Sequence, residues 1–131
     1  MAKDKKHDLQ VIICSGVKDI DRTELGLSIA LNSTMQGQSV VIFFTAGGAE
    51  FIGKNIGSSN QKKNPESIEF YIKNLLDLNA VLEVCSSCLE KCDLLSTDGN
   101  INTENLIDKR IKIGGVASVS ARLKSTKTII F

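Results

Sequence analysis

Apolar runs alternate with helix-periodic stretches along this chain, each run closes on glycine or serine, and the runs are too uniformly apolar to leave one face wet. Together these predict an α/β fold of three layers, α/β/α, around a parallel sheet of about five strands. The first run, Leu9-Gln10-Val11-Ile12-Ile13-Cys14, ends at Ser15-Gly16 and reads as a strand. Residues 21–35 follow with Leu25 and Ile29, and Leu27 and Leu31, at helical spacing, and Gly37 is the stop. The second strand is Ser39-Val40-Val41-Ile42-Phe43-Phe44-Thr45, closed by Ala46-Gly47-Gly48. Residues 46–63 then form a long glycine-rich segment patterned only by Phe51, Ile52 and Ile56. A segment of that length reads as a lid over a crevice or as a mobile loop, and both stay open.

Asn64-Pro65-Glu66 marks a helix start, with Asn as cap, Pro in the first turn and an acid at the positive end. Ile68, Ile72, Leu75 and Leu76 make its apolar stripe. The short run Ala80-Val81-Leu82-Glu83-Val84 is a third strand that leads into a cysteine-rich helix start. Beyond it we expect a short helix at 102–108, a weak strand at 110–113, and a helix at 115–123 with Val116, Val119 and Leu123 facing inward. A last strand spans 126–131.

The 131 residues suit one domain spanning 1–131, with 1–7 a charged, flexible tail in which His7 is solvated. An apolar fraction of 42%, a charged fraction of 24% and a net charge of +1 are those of a soluble globular protein and offer no field for nucleic acid or a membrane surface. No signal peptide or membrane-length apolar run is visible, which places the protein in the cytoplasm. Four cysteines in a reducing compartment point to reactive or metal-binding thiols rather than a disulfide framework. Lys62-Lys63 and Lys109-Arg110-Ile111-Lys112 read as solvated faces. Gly47 and Gly48 carry no nucleotide-binding fingerprint.

Three of those cysteines stand in Cys85-Ser86-Ser87-Cys88-Leu89-Glu90-Lys91-Cys92. Unpaired N–H groups at a helix start favour a thiolate, so Cys85 is placed to be reactive, with reactivity falling along the motif. Ligands of parallel sheets sit beyond the carboxyl ends of the strands, and Cys14, Thr45 and Cys85 all fall at that edge. The residues admit sulfur chemistry, dithiol redox or metal binding. Cys92 follows Cys88 by four residues, on the same helical face, within reach as a resolving partner or ligand. A zinc set would take Cys85, Cys88 and Cys92 with Cys14 or His7, but a second pair of ligands is absent. Cys14 reads as a core residue.

The strand running into Cys85-Ser86-Ser87-Cys88-Leu89-Glu90, the opening Ile12-Ile13-Cys14-Ser15-Gly16 and the closing apolar strand at Phe131 resemble the DsrE/DsrF-like family, in its YchN-like branch. Gly16 through Asp21-Arg22-Thr23 and the helix up to Gly37-Gln38-Ser39-Val40 are similar to the family's first strand-helix-strand unit. The resemblance implies a compact α/β/α domain of flavodoxin-like architecture that assembles into homotrimers or homohexamers. It also implies a sulfurtransferase-like carrier that passes sulfur between donor and acceptor proteins as a persulfide. Cys85 matches the carrier position, and Cys88 would be its partner thiol. No cofactor is required by that chemistry. Relatives often continue with Arg-Gly where this chain has Cys92-Asp93, so it lacks both a cation near the sulfur and the residue best suited to a left-handed helix stop. A binding module for a small anion, built on 46–63, and a purely structural assembly protein are the alternatives.

Overall fold

The computed structural model describes residues 6–54 and 65–131. Five strands form one parallel sheet: β1 (Leu9–Ile13), β2 (Val40–Phe44), β3 (Val81–Cys85), β4 (Lys112–Gly114) and β5 (Lys127–Ile130), in the order β4-β3-β2-β1-β5. The uniformly apolar β1 and β2 occupy the middle and every one of their residues is buried. Both faces are therefore covered, as the absence of alternation predicts.

Helices α1 (Ile20–Met35) and α2 (Glu66–Asp77) pack against each other on the face carrying Ile13. Gly26 of α1 lies so close that an added Cβ would stand 2.8 Å from both Ile13 Cδ1 and the Phe131 ring. Ile68, Ile72, Leu75 and Leu76 of α2 are buried, as their stripe predicts. Asp19 caps α1 by accepting from the Arg22 N–H at 3.4 Å. In α1 the buried leucines are Leu27 and Leu31, while Leu25 is exposed. Pro65 occupies the cap position of α2, and Asn64 lies outside the described residues.

The opposite face is covered by α3 (Val116–Arg122), which is tied down by polar bonds as well as by Val119. Arg122 donates to Gln10 Oε1 at 2.6 Å and to Glu83 Oε1 at 2.8 Å, and Gln10 Nε2 donates to Thr128 Oγ1 at 3.1 Å. This network explains the polar residue inside the first apolar run: Gln10 is fully buried, and a buried amide is tolerated only when bonded. The expected inward face of α3 needs correction. Val119 is buried, but Val116 is 62% exposed and Leu123 55% exposed. A helix of seven residues is only ~10 Å long, too short to seat all three on the sheet.

Two further expectations change. His7 is buried, not solvated: its Nδ1 lies 3.0 Å from Ser39 Oγ, and its carbonyl accepts from Thr126 Oγ1 at 3.2 Å. A charged neighbourhood hid a residue that the end of the sheet captures. The helix expected at 102–108 is a single 3-10 turn, Thr103–Asn105, because its neighbours bond instead to other segments.

Candidate functional site

The carboxyl ends of β1, β2 and β3 converge at one rim. The Thr45 N–H donates to the Ile13 carbonyl at 3.0 Å, which extends the parallel ladder past β2. Cys85 pairs with Gly114. Continuing the other registers by one residue sets Cys14, Thr45, Cys85 and Gly114 in one row across the sheet.

Three segments are layered over that row. Residues Ala46–Phe51 and Ser86–Cys92 form 3-10 turns that pack on each other. Ile107 N donates to the Ile52 carbonyl at 2.7 Å, and Lys54 N to that of Asn105 at 2.7 Å, so the third segment joins the first as a short antiparallel pairing. Glycine is required at two close approaches. A Cβ on Gly48 would stand 2.2 Å from the Ile13 carbonyl oxygen, and one on Gly53 would stand 2.2 Å from that of Cys92. The described part of segment 46–63 is thus seated structure with Phe51 and Ile52 fully buried, whereas Ile56 and the rest of the segment, read as lid or mobile loop, lie outside the described residues.

Cys85 is the last residue of β3 and the cap of the turn that follows, only 1% exposed. Its sulfur lies 3.0 Å from Ser87 Oγ. Burial opposes its ionisation, but hydrogen bonds from the Ser87 hydroxyl and N–H, from Thr45 and from Cys88 outweigh it, and the thiol titrates below its ordinary value. The acidity expected at this position therefore arises, though from side chains and a tight turn rather than from an α-helix start. The turn is 3-10 and kinks at Cys88 (φ −116°, ψ 18°).

Cys88 is buried beside Cys85 and turned toward β2. Its sulfur accepts from the Ala46 N–H at 3.4 Å and lies 3.6 Å from Thr45 Oγ1. Ala46 holds that N–H in place from a left-handed backbone conformation, φ 51°, which glycine would adopt without strain. Neither Ala46 nor Ser87 stood out in the sequence. The only signal for Ala46 was its place before two glycines at a strand end.

Cys92, which spacing alone put within reach of the Cys88 thiol, makes other contacts. Its sulfur is directed at the carbonyls of Leu89, 3.6 Å, and Cys88, 3.9 Å, and burial pushes its pKa up to about 11. It is a packed, protonated thiol. Asp93 next to it adopts φ 60°, so the left-handed stop survives without glycine, and Asn105 Nδ2 bonds its carbonyl at 2.7 Å. Cys14 is half-buried at the rim rather than in the core, and its pKa is raised by burial and by the neighbouring Cys88. His7 lies at the other end of β1 from Cys14. Among the described residues no group of three or more His, Cys, Asp or Glu side chains is arranged to hold a metal ion, so the zinc set is not assembled.

The chain is thus a parallel α/β/α protein with a Cys-x-x-Cys turn at the end of its third strand. Residues 7–131 match the DsrE/DsrF-like family, and the chain belongs to it. Its fold is similar to that of YchN from E. coli (TM-score 0.72, 13% identity, covering 95% of this chain and 99% of that one). It is also similar to MTH1491 of Methanobacterium thermoautotrophicum, a protein of unknown function (TM-score 0.65, 14% identity, 96% and 100% covered). The conserved protein BT1422 of Bacteroides thetaiotaomicron, likewise of unknown function, is a third (TM-score 0.63, 17% identity, 95% of each chain covered). No curated protein sequence matches the chain. Among the described residues no helix is long and apolar enough to cross a membrane.

Proposed function

We propose that the protein is a sulfur-relay carrier in which Cys85 accepts sulfur as a persulfide and Cys88 is its partner thiol. The observation that carries this reading is the shared environment of the two sulfurs at the rim: Cys85 at the strand end, 3.0 Å from Ser87 Oγ and lowered in pKa, and Cys88 three residues on, supplied with the Ala46 N–H at 3.4 Å. The Cys85 thiolate attacks the outer sulfur of a donor cysteine persulfide, and the donor leaves as a thiolate. An acceptor thiolate then attacks the outer sulfur on Cys85, which leaves as the thiolate that the site already favours.

Burial of Cys85 means that loading involves a docked donor and a parting of the turns at 46–51 and 86–92, which shields the bound sulfur between transfers. Donor and acceptor are proteins of the reducing cytoplasm, where four free thiols persist. Exposed Val116, Leu123, Ile129 and Ile130 on α3 and the edge strand β5 support assembly of the chain into a homotrimer or homohexamer. The Cys-x-x-Cys spacing, with both thiols buried at the same turn, also favours a second use of the pair, as a dithiol that closes to a disulfide.

Intact mass after incubation with a cysteine persulfide donor tests the reading. Wild type should gain about 32 Da, one sulfur atom, removable by dithiothreitol. Cys85→Ser should gain nothing while keeping its fold, and equal loading of the two would refute the carrier role.

A further inference from the structure

Three thiols meet at the strand-end rim, and the relay uses two of them. Cys14 follows β1 directly, its N–H bonded to the Phe131 carbonyl at 2.6 Å. The sheet register sets it beside Thr45, whose other neighbour in the row is Cys85. Strands lie ~4.8 Å apart, so Cys14 and Cys85 are separated by roughly two such spacings, further than the ~7 Å between Cα atoms that a disulfide spans. Cys88 fills the gap. Its sulfur stands over the residue between them, 3.6 Å from Thr45 Oγ1 and accepting from the Ala46 N–H at 3.4 Å, and the titration of both Cys85 and Cys14 responds to it. Cys14 is also the half-exposed member, whereas Cys85 and Cys88 are buried.

We propose that Cys14 is a third exchanging thiol, which attacks the Cys88 sulfur of a Cys85–Cys88 disulfide, forms a Cys14–Cys88 disulfide and releases Cys85. This rests on the pairing of Cys85 with Cys88 proposed above. The first disulfide arises when Cys88 displaces hydrosulfide from the Cys85 persulfide, or when glutathione disulfide oxidises the pair. In the exchange one S–S bond forms as one breaks, the Cys14 proton passes to solvent, and no electron enters or leaves the chain. The thiol of lower pKa is the better leaving group, which directs expulsion toward Cys85. The outcome is a Cys85 ready for another sulfur and a disulfide with one end at the surface, where a dithiol reductant reaches it.

The test is to oxidise the full chain with glutathione disulfide, quench with acid and N-ethylmaleimide, and map peptides without reduction. Trypsin cleavage after Lys6, Lys18, Lys73 and Lys91 separates Cys14, the Cys85/Cys88 peptide and Cys92, and fragmentation distinguishes Cys85 from Cys88. Wild type should show a Cys14–Cys88 cross-link with Cys85 alkylated. Cys85→Ser should still form that cross-link, and Cys14→Ser should hold only Cys85–Cys88. A Cys85–Cys88 disulfide with Cys14 alkylated throughout would overturn the exchange and leave the pairing intact. A Cys14–Cys88 bond in wild type, with no Cys85–Cys88 species in Cys14→Ser, would overturn the pairing and with it the exchange. Full alkylation of all three would overturn both.

Discussion

Because Cys92 is buried and held protonated, its environment should make the protein lose stability in alkali by a calculable amount. Its pKa rises from 9.0 to about 11, so between those values the unfolded chain releases a proton that the folded chain keeps. When the unfolded state binds fewer protons, stability falls as pH rises. The contribution is fully present below pH 9 and is lost as pH climbs through 11. Two pH units at ~1.4 kcal/mol each come to roughly 3 kcal/mol in all, most of it gone by about pH 10.5. Cys92→Ala removes this titration and costs about 1 kcal/mol of buried apolar contact at neutral pH. Urea unfolding under reducing conditions should therefore show the variant weaker than wild type near neutrality and equal or stronger in alkali. Groups common to both proteins cancel in the difference. A difference that stays constant with pH would refute the reasoning, since it would mean that water reaches the Cys92 sulfur and that the packing of 53 and 89–92 around it is wrong.

Other outcomes follow from named contacts. Arg122→Met leaves the Glu83 carboxylate and the buried Gln10 oxygen without their donor and should lower unfolding free energy by about 3 kcal/mol; adding Glu83→Leu should recover part of it, read in urea midpoints. Thr45→Val removes a hydroxyl that lowers the Cys85 pKa, so thiolate absorbance should appear at higher pH than in wild type, and an unshifted curve would deny Thr45 that role. Asp93→Gly relieves a left-handed residue with an exposed side chain and should raise unfolding free energy by up to about 1 kcal/mol; a loss of stability would mean that the Asp93 side chain has a partner.

The strands and the long helices were legible in the sequence because each rests on local information. A run such as 40–44 is too apolar to face water on either side, and the stripe at Ile68, Ile72, Leu75 and Leu76 has only one buried solution as a helix. Strand ends placed Cys14, Thr45 and Cys85 at one edge, since in a parallel sheet every carboxyl end points the same way. The family resemblance rested on the same motif and held across 7–131. The division of labour among the thiols was not legible. Whether Cys92 meets the Cys88 sulfur or a carbonyl depends on the turn at 86–92 being 3-10 and kinked, and the packing of residues 46–53 over it decides that. The N–H donor to Cys88 comes from a residue 42 positions away in sequence. His7 and Gln10 were misjudged or unexplained for the same reason: their partners Ser39, Thr126, Arg122 and Thr128 lie on other elements, and a polar group is buried only where the fold supplies its bond. Sequence alone thus determined which segments go inside and which chemistry they carry to the rim, while the tertiary packing decided which thiol is made more acidic, which is sealed against carbonyls and which is held by the Ala46 N–H.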